Sequence, residues 1–298
     1  MSEQPPIPRN ELVTGDCIEA MASWPEDSID LVFADPPYNI GYQYDKYVDK
    51  RDQDEYVDWT QRWIDGCARL LRPSGSMYIL IGDEYAAEVR LHLRKLQSEG
   101  QLLFRNWIIW HYTFGQRCKL KFNRSHAHLF YCVGSAALGR SGKPLSNLTK
   151  KKPFTFNYDA VAVPSARQTT YADRRANPRG KLPDDTWYLR PQEAMEGEGN
   201  HFGPDGDTWY QSRLCGTFSE RQQWHPCQLP EALLERIIKV SSNPGDLVFD
   251  PFVGSGTTLA AARRLGRDWL GCELSEDYAE KARERIEGVE PVLSGAGE

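Results

Sequence analysis

The sequence predicts a doubly wound α/β sheet split by an insertion, and three observations carry that expectation. Apolar strand-like runs alternate with helical periodicity over residues 1–134, and the same alternation resumes near the C-terminal end. Between them, from Gly134 to about Arg221, the chain is rich in Gly, Pro, Asn, Asp and Arg, with scattered aromatics and no sustained period. A chain of 298 residues allows two domains of ordinary size or one large domain with an insert. Its 40% apolar and 26% charged residues exclude disorder, collagen-like repeats and coiled coil.

The elements follow in order. Glu11–Thr14 is a short strand candidate ending at Gly15-Asp16, and Ile29–Ala34 is a continuous apolar run, as for a strand covered on both faces. Helical spacing over Asp54–Leu71 places Tyr56, Trp59, Trp63, Ile64, Cys67, Leu70 and Leu71 together, and Pro73-Ser74-Gly75 is expected to break that helix. Ser76–Ile81 reads as a strand, Asp83–Gln97 as a helix, and Leu102–Trp110 and Leu129–Val133 as β-rich runs. After the insert, the sequence predicts a helix over Pro230–Ser241 with proline in its first turn. A strand over Leu247–Asp250, a helix over Thr257–Leu265, a strand over Trp269–Glu273 and a helix over Ser275–Ile286 capped by Ser275 complete it. Asp-Thr-Trp-Tyr occurs at 185–188 and again at 207–210, which does not establish a repeat. Trp187, Tyr188, Trp209 and Tyr210 could stack on bases or fill the core of an irregular insert, and the sequence does not choose.

The net charge of −6 hides a strong asymmetry. No Asp or Glu occurs from Gly100 to Tyr158, and residues 100–181 carry +13 against −19 for the remainder. The expectation is one basic face for a polyanion, with Arg117, Lys119, Lys121, Arg124, Lys150, Lys151, Lys152, Arg174 and Arg175 as the candidate phosphate contacts. Seven cysteines without a C-x-x-C pair argue for reduced thiols rather than disulfides or a structural zinc site, so no metal is expected. No apolar run approaches the ~20 residues that span a bilayer, and the N-terminus lacks the features of a signal peptide. A cytoplasmic protein without membrane contact is the expectation.

Two segments carry the chemistry. Asp250-Pro-Phe-Val-Gly254-Ser255-Gly256-Thr257-Thr258 follows a strand and opens a helix, so its glycines let a ligand approach backbone N–H groups. A P-loop is excluded because no lysine follows the second glycine, and Leu259 stands where a dinucleotide fingerprint needs its third glycine. Asp250, at a strand end, suits an ammonium and would repel a pyrophosphate. Glu273, at the end of the next strand, is placed to grip ribose hydroxyls. Ribose plus ammonium describes S-adenosylmethionine better than NAD.

Asp35-Pro36-Pro37-Tyr38 follows the apolar run 29–34. Its two prolines remove two N–H donors and leave acceptors, which suit an exocyclic amine. Holding both amine hydrogens favours a more pyramidal nitrogen that can attack a methyl group in line with its leaving group. Tyr38 offers a π-face for a base taken out of the duplex.

The chain resembles the β-class amino-methyltransferases of DNA in the order of its motifs. The tetrad comes first, then the basic insert, then His225-Pro-Cys-Gln-Leu-Pro230 and the loop Asp250–Thr258. The resemblance covers about 1–134 and 213–298. It implies a Rossmann-like S-adenosylmethionine-dependent methyltransferase fold made of those two segments, with 135–212 as an inserted target-recognition domain. It implies that the strands ending at Asp35 and Asp250 are neighbours. It implies that Asp35 and the Pro36 carbonyl hold the target amine, with Pro37 shaping the turn and Tyr38 stacking on the base. Asp250, Phe252, Gly254, Ser255, Gly256 and Thr257 would hold the methionine part of the cofactor, Glu273 the ribose, and Asp16 with Cys17 the adenine. His225 and Gln228 would close that pocket. Gly41–Asp52, with Tyr42, Tyr44 and Tyr47, is expected to be a mobile flap over the flipped base.

Pro226-Cys227-Gln228 mimics the nucleophile motif of cytosine-C5 methyltransferases, but it lies inside the His-Pro-x-Gln-x-Pro segment and precedes the cofactor loop. Many relatives carry a basic residue where Leu229 stands. His126 and His128, at i and i+2, share a strand face and read as packing rather than metal ligands. The leading function is methylation of adenine N6 in duplex DNA by base flipping and in-line transfer. Cytosine N4 is the alternative within the class, and a DNA-binding module without catalysis the alternative outside it. RNA fits the large insert less well. The recognition sequence, a partner nuclease of the restriction-modification kind, and dimerisation, which is frequent among relatives, are not written in the sequence.

Overall fold

The computed structural model describes residues 6–45, 48–116, 118–139, 141–169, 171–187 and 220–291. Among these residues there is one eight-stranded sheet in the order β1-β8-β7-β2-β3-β5-β4-β6. The strands are β1 (Glu11–Thr14), β2 (Ile29–Ala34), β3 (Leu71–Ile81), β4 (Leu102–Gln116), β5 (Arg124–Gly134), β6 (Thr186–Trp187), β7 (Leu247–Asp250) and β8 (Asp268–Glu273). The helices are α1 (Cys17–Ala22), α2 (Gln53–Leu70), α3 (Ala86–Ser98), α4 (Leu148–Lys151), α5 (Ala166–Thr169), α6 (Glu231–Ser241), α7 (Thr257–Arg264) and α8 (Glu276–Glu287).

Strands β1, β8, β7, β2 and β3 run parallel, and the β4–β5 hairpin joins antiparallel to β3 through β5. Successive residues of β2 serve opposite faces. Leu31 and Phe33 join one core with the apolar sides of α6, α7 and α8, while Val32 and Ala34 join a second with α1, α2 and α3. The run 29–34 is therefore apolar throughout because both of its faces are covered, as the sequence predicted.

The strands ending at Asp35 and Asp250 are neighbours, pairing Leu31 with Val248 and Val32 with Phe249. From β2 the chain moves outward to β3, and from β7 it moves the other way to β8. That reversal opens a crevice beyond the carboxyl ends of β2 and β7.

Several local expectations are corrected. Pro73-Ser74-Gly75 does not end α2, which stops at Leu70; β3 starts at Leu71 and absorbs the three residues as a bulge between the pairs Ile29–Leu71 and Leu31–Ser76. The two β-rich runs extend toward each other into a hairpin, and α3 starts three residues later than its periodicity suggests, at Ala86. Pro230 is the N-cap of α6 rather than part of its first turn. Helix α1 was not foreseen, because six residues are too few for a period to show. Ser275 caps α8 as expected, its Oγ accepting from the Tyr278 N–H.

The described part of the insert is mostly irregular, with α4 and α5 as single turns. It lies against the amino-terminal edge of the sheet. The Thr155 N–H donates to the Ser74 carbonyl at 3.3 Å, and the Asn157 N–H to the Val240 carbonyl at 2.7 Å. It then returns to the sheet as β6, parallel to β4. Of the cysteines described, Cys17, Cys67, Cys132 and Cys272 are buried free thiols. Among the described residues no helix is long and apolar enough to cross a membrane.

Candidate functional site

The crevice at the β2–β7 reversal holds a pocket of about 580 Å³, within the range of ligand sites. Asp35, Pro36, Pro37 and Tyr38 line one part of it. Asp16, Cys17, His225, Gln228, Asp250, Phe252, Gly254, Ser255, Thr257 and Glu273 line the rest. The structure thus brings together residues up to 257 positions apart.

The tetrad turn is held from below. Tyr56 of α2 donates its hydroxyl to the Pro37 carbonyl at 2.6 Å. Asn39 takes the left-handed conformation just after the turn, with φ of 57°, and donates to the Tyr85 hydroxyl and the Arg51 carbonyl. With the Pro37 carbonyl engaged, the other acceptors of the turn are the Asp35 carboxylate and the Pro36 carbonyl. The Tyr38 hydroxyl donates to Asp35 Oδ1 at 2.8 Å. Burial and the Asp35 charge hold that phenol well above its usual pKa, so it is a neutral donor that pins the carboxylate.

The other half is acidic and buried. Asp250 accepts from the Phe252 N–H at 2.9 Å and from the Thr258 hydroxyl. Burial still pushes its pKa up to about 7, and Glu273 adds to the shift. Among the described residues no cation pairs with it. Glu273 accepts the Gly254 N–H on one oxygen at 2.8 Å and the Ser275 N–H on the other at 2.9 Å, and burial raises its pKa too. A buried and a half-buried carboxylate in one pocket are a site built for a cationic group with hydrogen-bond donors. These residues therefore fit the ammonium and ribose of S-adenosylmethionine. Asp16 Oδ1 accepts from the Ile18 and Glu19 amides as the N-cap of α1, leaving its second oxygen for a ligand. Burial raises the Cys17 thiol to about 12, so it faces the pocket as a neutral group.

His225 is held as a neutral imidazole, its pKa lowered to about 4 by burial. Its Nδ1 accepts from the Cys227 N–H, which leaves the proton on Nε2. Gln228 braces the segment by donating to the Glu220 carbonyl and accepting from the Gln222 N–H.

Two glycines of the loop serve different ends. A Cβ on Gly254 would stand 2.9 Å from His225 Nε2, and φ there is +50°, so only glycine fits against the imidazole. Gly256 does not line the pocket, which corrects its assignment to the cofactor. At φ +80° it caps α7, and its missing Cβ leaves room for Ala282 of α8. Gly256→Ala is expected to cost about 1–2 kcal/mol of stability through backbone strain. Gly254→Ala is expected to weaken S-adenosylmethionine binding at least ~10-fold through the clash with His225. Thermal melts and titration calorimetry on both variants check the separation.

Within 41–52 the described residues lie over the pocket. Gly41 and Asp49 pair backbone to backbone, Gln43 bridges Val48, and Asp49 is fully buried. Tyr44 Oη approaches Cys227 Sγ at 3.9 Å, and Ser275 Oγ donates to Asp45 Oδ2 at 2.8 Å. The segment therefore ties the tetrad side of the pocket to the cofactor side. Tyr47 lies outside the described residues.

The basic candidates do not share one face, which corrects that expectation. Strand β5 carries the chain from the pocket end of the sheet to the opposite end. Lys119 and Lys121 sit exposed at the hairpin turn on the pocket side. Lys150, Lys151 and Lys152 are exposed near Ser74, a strand length away. Arg124 lines the pocket, but Asp83 and Glu84 hold its guanidinium, so it shapes the wall rather than standing open to a phosphate. Arg175 pairs with Asp173, and Arg174 is exposed beside it. Arg117, Tyr188, Trp209 and Tyr210 lie outside the described residues.

The pocket also has walls that motif reading missed. Trp110 and Tyr112 of β4, His126 of β5, and Arg51 over the ring of Trp59 (4.9 Å to its centroid) all line it. The i, i+2 spacing of Trp110 and Tyr112 was the available signal, though any core strand shows it. His126 and His128 do share a face, with ring centroids 5.0 Å apart. His128 is a packing residue whose Nδ1 accepts from Trp107 Nε1.

Comparisons with known proteins agree on the family. A family model described as DNA methylase matches residues 29–284. The type II methyltransferase M.HpaI of Haemophilus parainfluenzae is 31% identical over 276 residues, 93% of this chain and 74% of that protein. The DNA adenine methyltransferase YhdJ of Escherichia coli (strain K12) is 33% identical over 279 residues, 93% of this chain and 82% of its own length. TTHA0409 of Thermus thermophilus, solved in complex with S-adenosyl-L-methionine, superposes with a TM-score of 0.57 at 26% identity, covering 97% of this chain and 100% of that one. The cytosine-N4-specific PvuII DNA methyltransferase, at 19% identity, shares the fold with a TM-score of 0.54 over 100% of this chain and 92% of its own.

Proposed function

The chain belongs to the DNA methylases that modify exocyclic amines, adenine N6 or cytosine N4, with S-adenosylmethionine as donor, and from that premise we propose that it methylates adenine N6 in duplex DNA. One observation carries the reading. The amine-accepting turn at Asp35 and the carboxylate at Asp250 end paired strands and face one pocket. Donor and acceptor then meet without a covalent intermediate on the protein.

The cofactor, when bound, supplies a methyl group on a positively charged sulfur. The protein's part is placement. Asp250 takes the ammonium, Glu273 the ribose and Asp16 the adenine edge, while His225 and Tyr44 close the pocket around them. Asp35 and the Pro36 carbonyl accept the two amine hydrogens and so direct the nitrogen lone pair toward the methyl group. A base inside the stack cannot enter this pocket, so the target is turned out of the duplex, against Tyr38 and beneath residues 41–45 and 48–52. Residues 135–212 serve as the target-recognition segment. Support for adenine comes from the aspartate at the head of the tetrad and from the 33% identity to YhdJ, an adenine methyltransferase.

The test is transfer from labelled S-adenosylmethionine to unmethylated mixed-sequence duplex DNA, followed by nucleoside analysis. N6-methyladenine is expected. N4-methylcytosine would overturn the choice of base, and absence of label from DNA would overturn the reading.

The two lysine groups should behave differently. Lys119→Gln with Lys121→Gln is expected to reduce the slope of log K against log salt by about 2, close to 0.9 for each phosphate no longer neutralised. The triple change of Lys150, Lys151 and Lys152 to glutamine is expected to leave the slope unchanged. Fluorescence anisotropy over a salt series measures both. An unchanged slope in the first variant would remove the hairpin from the DNA interface.

A further inference from the structure

The turn of the β4–β5 hairpin carries two large apolar side chains that no described residue covers. Leu120 and Phe122 are 101% and 99% exposed, and they alternate with the exposed Lys119 and Lys121. The turn has a defined closure, since Asn123 Oδ1 accepts the Cys118 N–H at 2.8 Å. Its base is the pocket wall itself, because Tyr112, Arg124 and His126 all line the pocket. Phe122 is two residues from Arg124, and an extended chain spans about 3.3–3.6 Å per residue, so its backbone lies within about 7 Å of the pocket wall.

Paired large apolar groups at a loop tip lower solubility unless a partner covers them. Here the flanking charge selects the partner. The tip carries two lysines within an acid-free stretch of 59 residues, and its base borders the site that takes a base out of DNA. Apolar side chains inserted between base steps are a recurrent means of holding a duplex open.

We propose that this tip enters the duplex at the target base pair, Phe122 and Leu120 filling the space vacated by the extruded base while Lys119 and Lys121 hold the flanking phosphates. This rests on the base-extrusion reading above and names the element that carries it out. The wedge replaces the stacking contacts that the departing base gives up, and so favours the open duplex over the closed one. Its contribution is needed only when the target starts paired.

The test uses the full-length protein and a duplex containing the sequence found methylated in plasmid DNA. A second duplex carries an abasic site opposite the target base, which removes most of the cost of opening. For Leu120→Ala with Phe122→Ala, kcat/KM on the intact duplex is expected to fall at least ~10-fold, against less than about 3-fold on the abasic-opposed duplex, because an unpaired base is cheaper to extrude. Cofactor affinity and melting temperature should match the parent, since both side chains are exposed. Equal losses on the two duplexes, or no loss on either, would overturn the proposal. So would a change in native mass with unchanged activity, which would assign the tip to a second copy of the chain. Failure of the parent protein to methylate any duplex would instead overturn the functional reading, and it is seen before a variant is made.

Discussion

Asp35→Ala is expected to lower methyl transfer by about 1000-fold, roughly 4 kcal/mol of transition-state stabilisation, while S-adenosylmethionine binding changes little. The reason lies in what the turn offers. The Pro37 carbonyl is engaged by Tyr56, and the two prolines supply no donors, so Asp35 and the Pro36 carbonyl are the groups left to hold the amine. An aromatic amine attacks poorly because its lone pair is spread into the ring, and removing one of two acceptors returns it to that state. Cofactor affinity should survive, because Asp250 and Glu273 sit at the ends of β7 and β8 and are held by backbone N–H groups of their own loops. Asp35→Asn keeps one acceptor oxygen and should fall between parent and alanine variant. Tyr38→Phe removes the 2.8 Å bond to Asp35 but keeps the ring, and should cost less than Asp35→Ala. Single-turnover rates at saturating cofactor and DNA decide the matter. A loss below about tenfold in Asp35→Ala would show that the amine is not held there.

What could be read from the sequence was what the chain keeps local. The tetrad and the glycine loop each compress a strand end and its ligand-facing turn into a few consecutive residues, so their chemistry is written in one place. The continuous apolar run 29–34 likewise announces a strand with two covered faces. Trp110, Tyr112 and His126 were hidden because a pocket wall and a protein core ask the same of a strand, alternate bulky side chains. Helix α1 was hidden because its six residues are too few to show a period, and Asp16, which caps it, also lines the pocket. The basic stretch misled for a topological reason. Charge counted along the chain looked like one face, yet β5 reverses direction within it and carries Lys150–Lys152 to the far end of the sheet from Lys119 and Lys121. Gly256 was assigned to the ligand because it shares a motif with Gly254. Only the packing of α8 against α7 separates a glycine that admits a ligand from one that admits a neighbouring helix.

Cofactor affinity is expected to rise steeply with pH between 5.5 and 7 and to lose much of that slope in Asp250→Asn. Asp250 is buried in the pocket wall, and that burial pushes its pKa up to about 7 from the usual 3.8. The folded protein therefore binds a proton more tightly than the unfolded chain does, and this group's contribution to stability is present at low pH and lost as pH rises from about 4 to about 7. Each pKa unit is worth about 1.4 kcal/mol, so at pH 7.5 the ionised carboxylate costs the ligand-free fold several kcal/mol. An ammonium beside it reverses the preference and expels the proton. Binding at pH 6 should release close to one proton from Asp250, seen in calorimetry as a dependence of the apparent enthalpy on buffer ionisation heat. Glu273 is shifted in the same direction, so Asp250→Asn should keep a residual slope rather than none. The amide retains an oxygen for the Phe252 N–H but cannot ionise. That variant should melt higher than the parent at pH 7.5 without cofactor, and gain less from adding it. An affinity flat across this pH range in the parent, or a slope unchanged by Asp250→Asn, would place the ammonium elsewhere in the pocket. A melting temperature lowered by Asp250→Asn would show that the enclosed carboxylate already has a stabilising partner in the ligand-free fold.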